Sequence, residues 1–137
     1  MKTLFSLVAL MLSFPAYAYG PYVVQVVRVI DGDTLDVTVN LWPGLSQSVS
    51  VRLSGVDTPE MKGPTQCERD LAAKARNFVV DTISNTKTVE IEGVKLDKYA
   101  GRVDALVSVD GLNLSALLMQ AGFAKPYNGG KRAPWCP

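Results

Sequence analysis

The chain has 137 residues, with fourteen basic and thirteen acidic side chains, two cysteines and no histidine. This near-zero net charge argues against a protein that coats nucleic acid through a global positive surface, so a polyanion that binds here must be held by a local site. The absence of histidine excludes Ser-His-Asp and Cys-His catalysis, and two cysteines alone cannot complete a zinc shell. Hydrolytic chemistry here must depend on carboxylates, arginines and a hard cation that prefers oxygen ligands.

The first eighteen residues have the pattern of a signal peptide. Lys2 precedes an apolar run from Leu4 to Phe14, and Ala16-Tyr17-Ala18 follows the small-x-small cleavage pattern. The run is too short to span a membrane, which takes roughly twenty residues; the alternative is a buried N-terminal helix. We therefore expect an exported protein, periplasmic or secreted, with a single domain over residues 19–137 and no membrane insertion after cleavage.

Alternating apolar and polar residues predict five β-strands. Tight turns are indicated by Asp31-Gly32 and Asp110-Gly111, and a further turn lies around Asp97 to Gly101. Loops are predicted at 41–47, which contains Trp42-Pro43-Gly44, and at 55–64. The predicted strands are Tyr22–Ile30, Leu35–Asn40, Val49–Ser54, Val89–Ile91 and Val103–Val109.

Two helices are predicted. Apolar residues recur at helical spacing over Gln66–Ser84, and the preceding Thr65 with Glu68 fits a capping box. A short helix is predicted over Leu114–Gln120, with Gly122 suited to its C-terminal cap. The element order predicts an α+β fold: a five-stranded Greek-key β-barrel of the OB type with two helices packed on it.

The two cysteines, Cys67 and Cys136, are expected to form a disulfide because an exported chain enters an oxidising compartment. Two unpaired thiols are the alternative, which only geometry decides.

Three segments carry residues suited to hydrolytic chemistry, and each has an ordinary structural interpretation as well. Asp-Gly-Asp-Thr at 31–34 is typical of a solvated hairpin turn. Arg52, Asp57 and Glu60 fit a surface ion pair, although the proline at 59 restrains the carboxylates beside it. Arg102 fits an exposed strand residue.

In combination, these segments resemble the staphylococcal nuclease (thermonuclease) family. The order Asp-Gly-Asp-Thr, Arg-x-x-x-x-Asp-Thr-Pro-Glu and Asp-Lys-Tyr-Ala-Gly-Arg carries the resemblance, which runs from about residue 24 to residue 127. The resemblance implies that Asp33, Asp57 and the carbonyl of Thr58 bind Ca²⁺. It also implies that Glu60 orients the attacking water, with its action as a general base left open, while Arg52 and Arg102 hold the phosphate.

This sequence departs from the family pattern in three places. The turn before Arg102 is one residue longer, which affects the reach of that side chain. The family's stacking tyrosines have at most one counterpart, Tyr127, so Lys98 and Tyr99 are better candidates for contacts to a terminal phosphate or base. The family's last long helix has no counterpart before Pro137, and a disulfide from Cys136 is expected to hold the shorter segment instead.

The leading hypothesis is therefore a calcium-dependent endonuclease that acts on DNA and RNA with little sequence preference, favours single strands and leaves 3′-phosphate products. A monomer is expected. The alternative is an OB-fold module that binds single strands without chemistry. Such a module would not need the full set of acids and arginines and would carry more exposed aromatic and basic residues.

Overall fold

The structure is a computed structural model that describes residues 19–137, so the predicted signal peptide lies outside the described residues. In chain order, the elements are β1 (Tyr22–Asp31), β2 (Thr34–Trp42), β3 (Leu45–Leu53), β4 (Val56–Asp57), α1 (Gln66–Ser84), β5 (Val89–Leu96), β6 (Arg102–Val109), β7 (Leu112–Asn113), α2 (Leu114–Gln120) and β8 (Lys125–Pro126).

Five of these strands close into a barrel. β1, β2 and β3 form an antiparallel meander, and β1 continues through β5 to β6 by antiparallel pairing. A parallel pairing of β3 with β6 joins the two edges, with Arg52 opposite Asp104 and Ser50 opposite Arg102. The predicted barrel with two helices is confirmed. Its closure puts the strand that carries Arg52 beside the strand that carries Arg102.

The barrel interior and α1 share one apolar core. The inward-facing residues of β2 and β3, among them Leu35 and Leu53, are fully buried. Leu114 and Leu118 of α2 are also fully buried. Each side chain of this size contributes roughly 1.5–3 kcal/mol through its removal from water.

The predicted loop over 41–47 is wrong. β2 and β3 continue to a turn at Pro43 and Gly44, and Trp42 pairs with Leu45. The tip of this hairpin is exposed on both faces, so its side chains lack the alternation that reveals a half-buried strand. Backbone pairing alone extends the strands there.

Both helices have the predicted bounds. Gly122 follows α2 with φ of +81°, a left-handed conformation that suits glycine at a helix end. Within residues 19–137, no helix is long and apolar enough to cross a membrane.

One short pairing was not predicted and matters for the site. β4 pairs with β8, with Asp57 opposite Lys125. Two-residue strands leave no periodic pattern in the sequence. This pairing holds Asp57 in an extended backbone and brings the chain after residue 126 alongside it.

Candidate active site

Asp33 lies in the turn between β1 and β2 and is only 6% exposed. Its carboxylate accepts hydrogen bonds from the Thr34 hydroxyl at 3.0 Å and from the Thr58 amide at 3.1 Å. Its backbone carbonyl accepts from the Leu53 amide at 2.8 Å. The Thr58 bond spans 25 residues, so the turn and the loop after β4 fix one another.

Arg52 projects from β3 between two carboxylates. Its Nη2 lies 3.5 Å from Asp33 Oδ2 and 3.9 Å from Asp57 Oδ1. Its Nη1 donates to the carbonyls of Leu53 at 3.3 Å and Val56 at 3.2 Å. These carbonyl contacts hold the guanidinium in place, so its remaining edge faces the two acids.

Asp57 and Thr58 are buried to 4% and 1% exposure. The Thr58 hydroxyl is the one buried side-chain polar atom among residues 19–137 that has no hydrogen-bond partner. An unpaired buried oxygen is costly, and such atoms are concentrated at functional sites. The site therefore contains a buried hydroxyl group that forms no hydrogen bond with the described part of the protein.

Asp31 adds a third acid that the sequence did not single out. Its Oδ1 accepts from the Asp33 amide at 3.3 Å. Burial, followed by the negative charge of Asp33, raises the pKa of Asp31 to about 7. This carboxyl is thus only partly ionised near neutral pH. The Asp-Gly-Asp motif was the available signal, because it places two acids at one turn.

Glu60 and Glu68 lie at the edge of the same cluster. The Glu60 side chain is 53% exposed, whereas Glu68 is buried. Thr65 caps α1 as predicted, because its hydroxyl accepts from the Glu68 amide at 3.1 Å. The other half of the predicted capping box, in which the Glu68 side chain reaches back to Thr65, is wrong. Glu68 Oε1 instead accepts from the Glu60 amide at 3.3 Å, since the loop before α1 passes closer to it.

Arg132, which the sequence did not single out, enters the site from the 131–136 segment. Its Nε donates to Asp57 Oδ1 at 2.7 Å, and its Nη2 donates to the Thr58 carbonyl at 3.0 Å. Its Nη1 lies 3.1 Å from Glu60 Oε1, and its Nη2 also reaches Glu68 Oε1 at 3.3 Å. The guanidinium is therefore surrounded by four oxygen acceptors.

Trp135 completes this contact. Its indole Nε1 donates to Asp57 Oδ2 at 3.0 Å. A disulfide then joins Cys136 to Cys67 near the start of α1, with 6.2 Å between their Cα atoms. The structure thereby decides for the disulfide over two unpaired thiols.

A cavity of about 840 Å³ opens beside this cluster. Arg52, Arg102 and Arg132 all line it, so the longer turn still brings Arg102 to the cavity. Arg102 forms an ion pair with Asp97 and lies 4.6 Å from the centre of the Tyr99 ring. Within residues 19–137, no hydrogen bond or ion pair links it to Asp33 or Asp57. The other predicted contact residues, Lys98, Tyr99 and Tyr127, also line this cavity.

Comparison with known proteins agrees with this architecture. A family described as Staphylococcal nuclease homologue matches residues 50–134, more than half of the chain. A protein named Micrococcal nuclease from Shigella flexneri is 31% identical over 128 residues, which cover 88% of this chain and 66% of that protein. Endonuclease YncB and SPbeta prophage-derived endonuclease YokF, both from Bacillus subtilis (strain 168), are 35% and 34% identical over 101 residues. Those matches cover 72% of this chain, but only 44% of YncB and 32% of YokF.

The chain belongs to the staphylococcal nuclease family. It spans less than two thirds of the length of each of these three relatives.

For a member of the staphylococcal nuclease family, the oxygen donors present fit a hard divalent cation. Within the described residues, no group of three or more acidic, histidine or cysteine side chains is arranged to hold a metal. The donors are instead two carboxylates, Asp33 and Asp57, and the carbonyl of Thr58. Asp57 and the Thr58 carbonyl already accept hydrogen bonds from one cation, the Arg132 guanidinium.

The charge balance supports the same fit. Four carboxylates that pair with a guanidinium (Asp33, Asp57, Glu60 and Glu68) face two guanidiniums (Arg52 and Arg132), so four minus two leaves two negative charges uncompensated, besides the partly ionised Asp31. A divalent cation would neutralise them.

Proposed function

We propose that this chain is an exported, calcium-dependent nuclease that hydrolyses phosphodiester bonds in DNA and RNA with little sequence specificity. The observation that carries the proposal is the cluster of Asp33, Asp57 and Arg52, which borders a cavity also lined by Arg102. The names of its relatives, a micrococcal nuclease and two endonucleases, support the same reaction.

Asp33, Asp57 and the Thr58 carbonyl would hold the calcium ion. All three are oxygen donors, which is what calcium prefers among protein ligands. When bound, calcium would supply positive charge next to a phosphodiester that otherwise repels a nucleophile.

The two arginines would bind and polarise the phosphate. Arg52 is held by the carbonyls of Leu53 and Val56, and Arg102 by Asp97, so both guanidiniums are positioned before substrate arrives. A planar guanidinium donates two parallel hydrogen bonds to phosphate oxygens. These bonds strengthen as the phosphorus becomes five-coordinate and gains negative charge, which lowers the barrier.

Glu60 is the group proposed to position the attacking water and accept its proton. Its side chain is half exposed, so solvent water has access to it. The water oxygen forms a bond to phosphorus as the bond to the 5′ oxygen breaks, and the leaving 5′ oxygen takes a proton from solvent water. The products are then a 3′-phosphate and a 5′-hydroxyl.

The cavity is suited to binding single-stranded nucleic acid without sequence specificity. Its basic residues contact phosphates, which carry no base information, and Tyr99 and Tyr127 offer aromatic faces on which any base can stack. The Arg52 guanidinium already lies 5.7 Å from the centre of the Tyr127 ring. We expect the protein to act as a monomer.

The test is cleavage of a fluorescent single-stranded DNA by the purified protein, in calcium and then in excess chelator. Arg102→Ala is expected to cleave about 100- to 1,000-fold more slowly, by analogy with the loss of one transition-state hydrogen-bond donor. Arg28→Ala is the matched control, because Arg28 is an exposed arginine on β1 whose one ion-pair partner within residues 19–137 is Asp36. Tight binding with no cleavage in any divalent metal would contradict the proposal and favour a binding module.

Export has its own test. The mature protein recovered from the periplasm or medium is expected to begin at Tyr19. Accumulation of a chain that still begins at Met1 inside the cell would contradict this part of the proposal.

A further inference from the structure

The 131–136 segment occupies the proposed metal ligands. The Arg132 guanidinium donates hydrogen bonds to Asp57 Oδ1 at 2.7 Å and to the Thr58 carbonyl at 3.0 Å. The Trp135 indole donates to Asp57 Oδ2 at 3.0 Å. Both oxygens of Asp57 are thus already engaged. Arg132 also pairs with Glu60, the group proposed to accept the proton from water.

These contacts and a bound calcium exclude one another. Calcium binds protein oxygens at about 2.3–2.6 Å. A calcium ion at that distance from Asp57 Oδ1 and the Thr58 carbonyl would fill the space in which the guanidinium nitrogens lie. Two cations so close together would also repel strongly.

Arg132 stays charged under all ordinary conditions, so it competes as a permanent cation. Partial burial lowers its pKa, but the hydrogen bond and charge of Asp57, with the charge of Glu60, outweigh burial and raise the pKa above its ordinary value. Deprotonation of Arg132 therefore does not release the segment.

The segment is held near the site by further contacts. Lys125 donates to the Pro134 carbonyl at 3.1 Å and lies 4.2 Å from the centre of the Trp135 ring. The disulfide from Cys136 to Cys67 anchors the far end to α1. A tethered group has a high effective concentration at its site, so weak contacts suffice to keep it there.

We infer that the 131–136 segment is an intramolecular competitor for the metal site: the Arg132 guanidinium replaces the cation in a closed state, and metal binds only when Arg132 and Trp135 move away from Asp57. This inference rests on the proposed calcium site. It makes the segment a regulator of metal affinity, since the apparent dissociation constant equals the intrinsic one divided by the open fraction.

The first test is calcium binding measured by titration calorimetry on the purified protein. Arg132→Ala is expected to bind calcium about tenfold or more tightly than the wild type, which corresponds to a closed fraction of about nine tenths or more in the wild type. Lys131→Ala is the matched control, because it removes the neighbouring exposed charge from the same segment and should leave the affinity unchanged. Cys67→Ser combined with Cys136→Ser loosens the tether and should also tighten binding.

The outcomes separate this inference from the proposed function. Equal or weaker binding by Arg132→Ala, with calcium still bound by the wild type, overturns the competitor and leaves the metal site standing. Absence of calcium binding in every variant overturns both.

A second test does not depend on how well Arg132→Ala folds. In a Trp42→Phe background, Trp135 is the remaining tryptophan. Saturating calcium is expected to shift its fluorescence to longer wavelength as the indole leaves Asp57 and becomes hydrated. Calcium binding with no change in Trp135 emission would overturn the inference.

Discussion

Removing the disulfide is the sharpest test of how the fold holds the 131–136 segment. The bond joins Cys67 to Cys136 and closes a loop of 69 residues. In the chain-entropy model, a loop of this length stabilises the folded state by about 4 kcal/mol, because the cross-link restricts the unfolded chain. Cys67→Ser with Cys136→Ser is therefore expected to lower the free energy of unfolding by about that amount.

The expected loss of unfolding free energy can be converted into a lowering of the melting temperature. Residues 19–137 number 119, since 137 minus 18 is 119. With about 2.1 cal/mol/K of unfolding entropy per residue, the domain has about 0.25 kcal/mol/K, so a loss of 4 kcal/mol lowers Tm by about 16 °C.

The assay is urea and thermal unfolding followed by circular dichroism, with calcium chelated. Wild-type protein treated with a reductant serves as a control, because it lacks the bond but keeps both sulfur atoms. The dependence of free energy on urea should also steepen in the variant, since an unfolded chain without the cross-link exposes more surface. A Tm change below about 5 °C, with an unchanged urea dependence, would refute the entropic account.

Three further predictions concern single residues and the metal. Leu35→Ala removes a fully buried core side chain and is expected to cost about 2–5 kcal/mol in urea unfolding; a cost below 1 kcal/mol would mean that the core closes around the gap. Thr65→Ala removes the N-cap of α1 and should cost about 1 kcal/mol, whereas Thr65→Ser should cost much less; equal losses would argue against the cap. Calcium at 100 times its dissociation constant should stabilise the fold by about 2.7 kcal/mol, and Asp57→Asn should abolish that gain; an equal gain in the variant would place calcium elsewhere.

The stability of the site without metal has a physical basis in its arginines. Asp33 and Asp57 are almost fully buried, and a buried charge without a partner is strongly destabilising. Arg52 pairs with both carboxylates, and Arg132 pairs with Asp57. The protein can thus fold before metal arrives, with an internal cation where the proposed metal would bind.

Local sequence patterns determined the regular elements. Both helices begin and end where the apolar spacing, Thr65 and Gly122 indicated, because helix formation depends on contacts three and four residues apart. The strand cores followed from alternation. The exposed hairpin tip around Trp42 was not predicted from alternation. Alternation appears when one face of a strand is buried, and neither face of that tip is buried.

The motif residues could also be chosen from the sequence, because their combined order resembles one family. Asp33, Arg52, Asp57 and Thr58 are brought into one cluster by the structure, and Arg102 lines the adjoining cavity. Their roles in binding metal and in catalysis stay predictions.

Tertiary structure alone decided which partners meet across long distances. The parallel pairing of β3 with β6 closes the barrel. Glu68 accepts hydrogen bonds from the Glu60 amide and from Arg132 instead of completing the predicted capping box. Arg132 meets Asp57 across 75 residues of chain, and an isolated arginine in Gly-Gly-Lys-Arg-Ala-Pro carries no local signal for such a contact. Secondary structure follows from neighbours in the chain, whereas these contacts depend on the path of the whole chain and on the disulfide that anchors its last described residues.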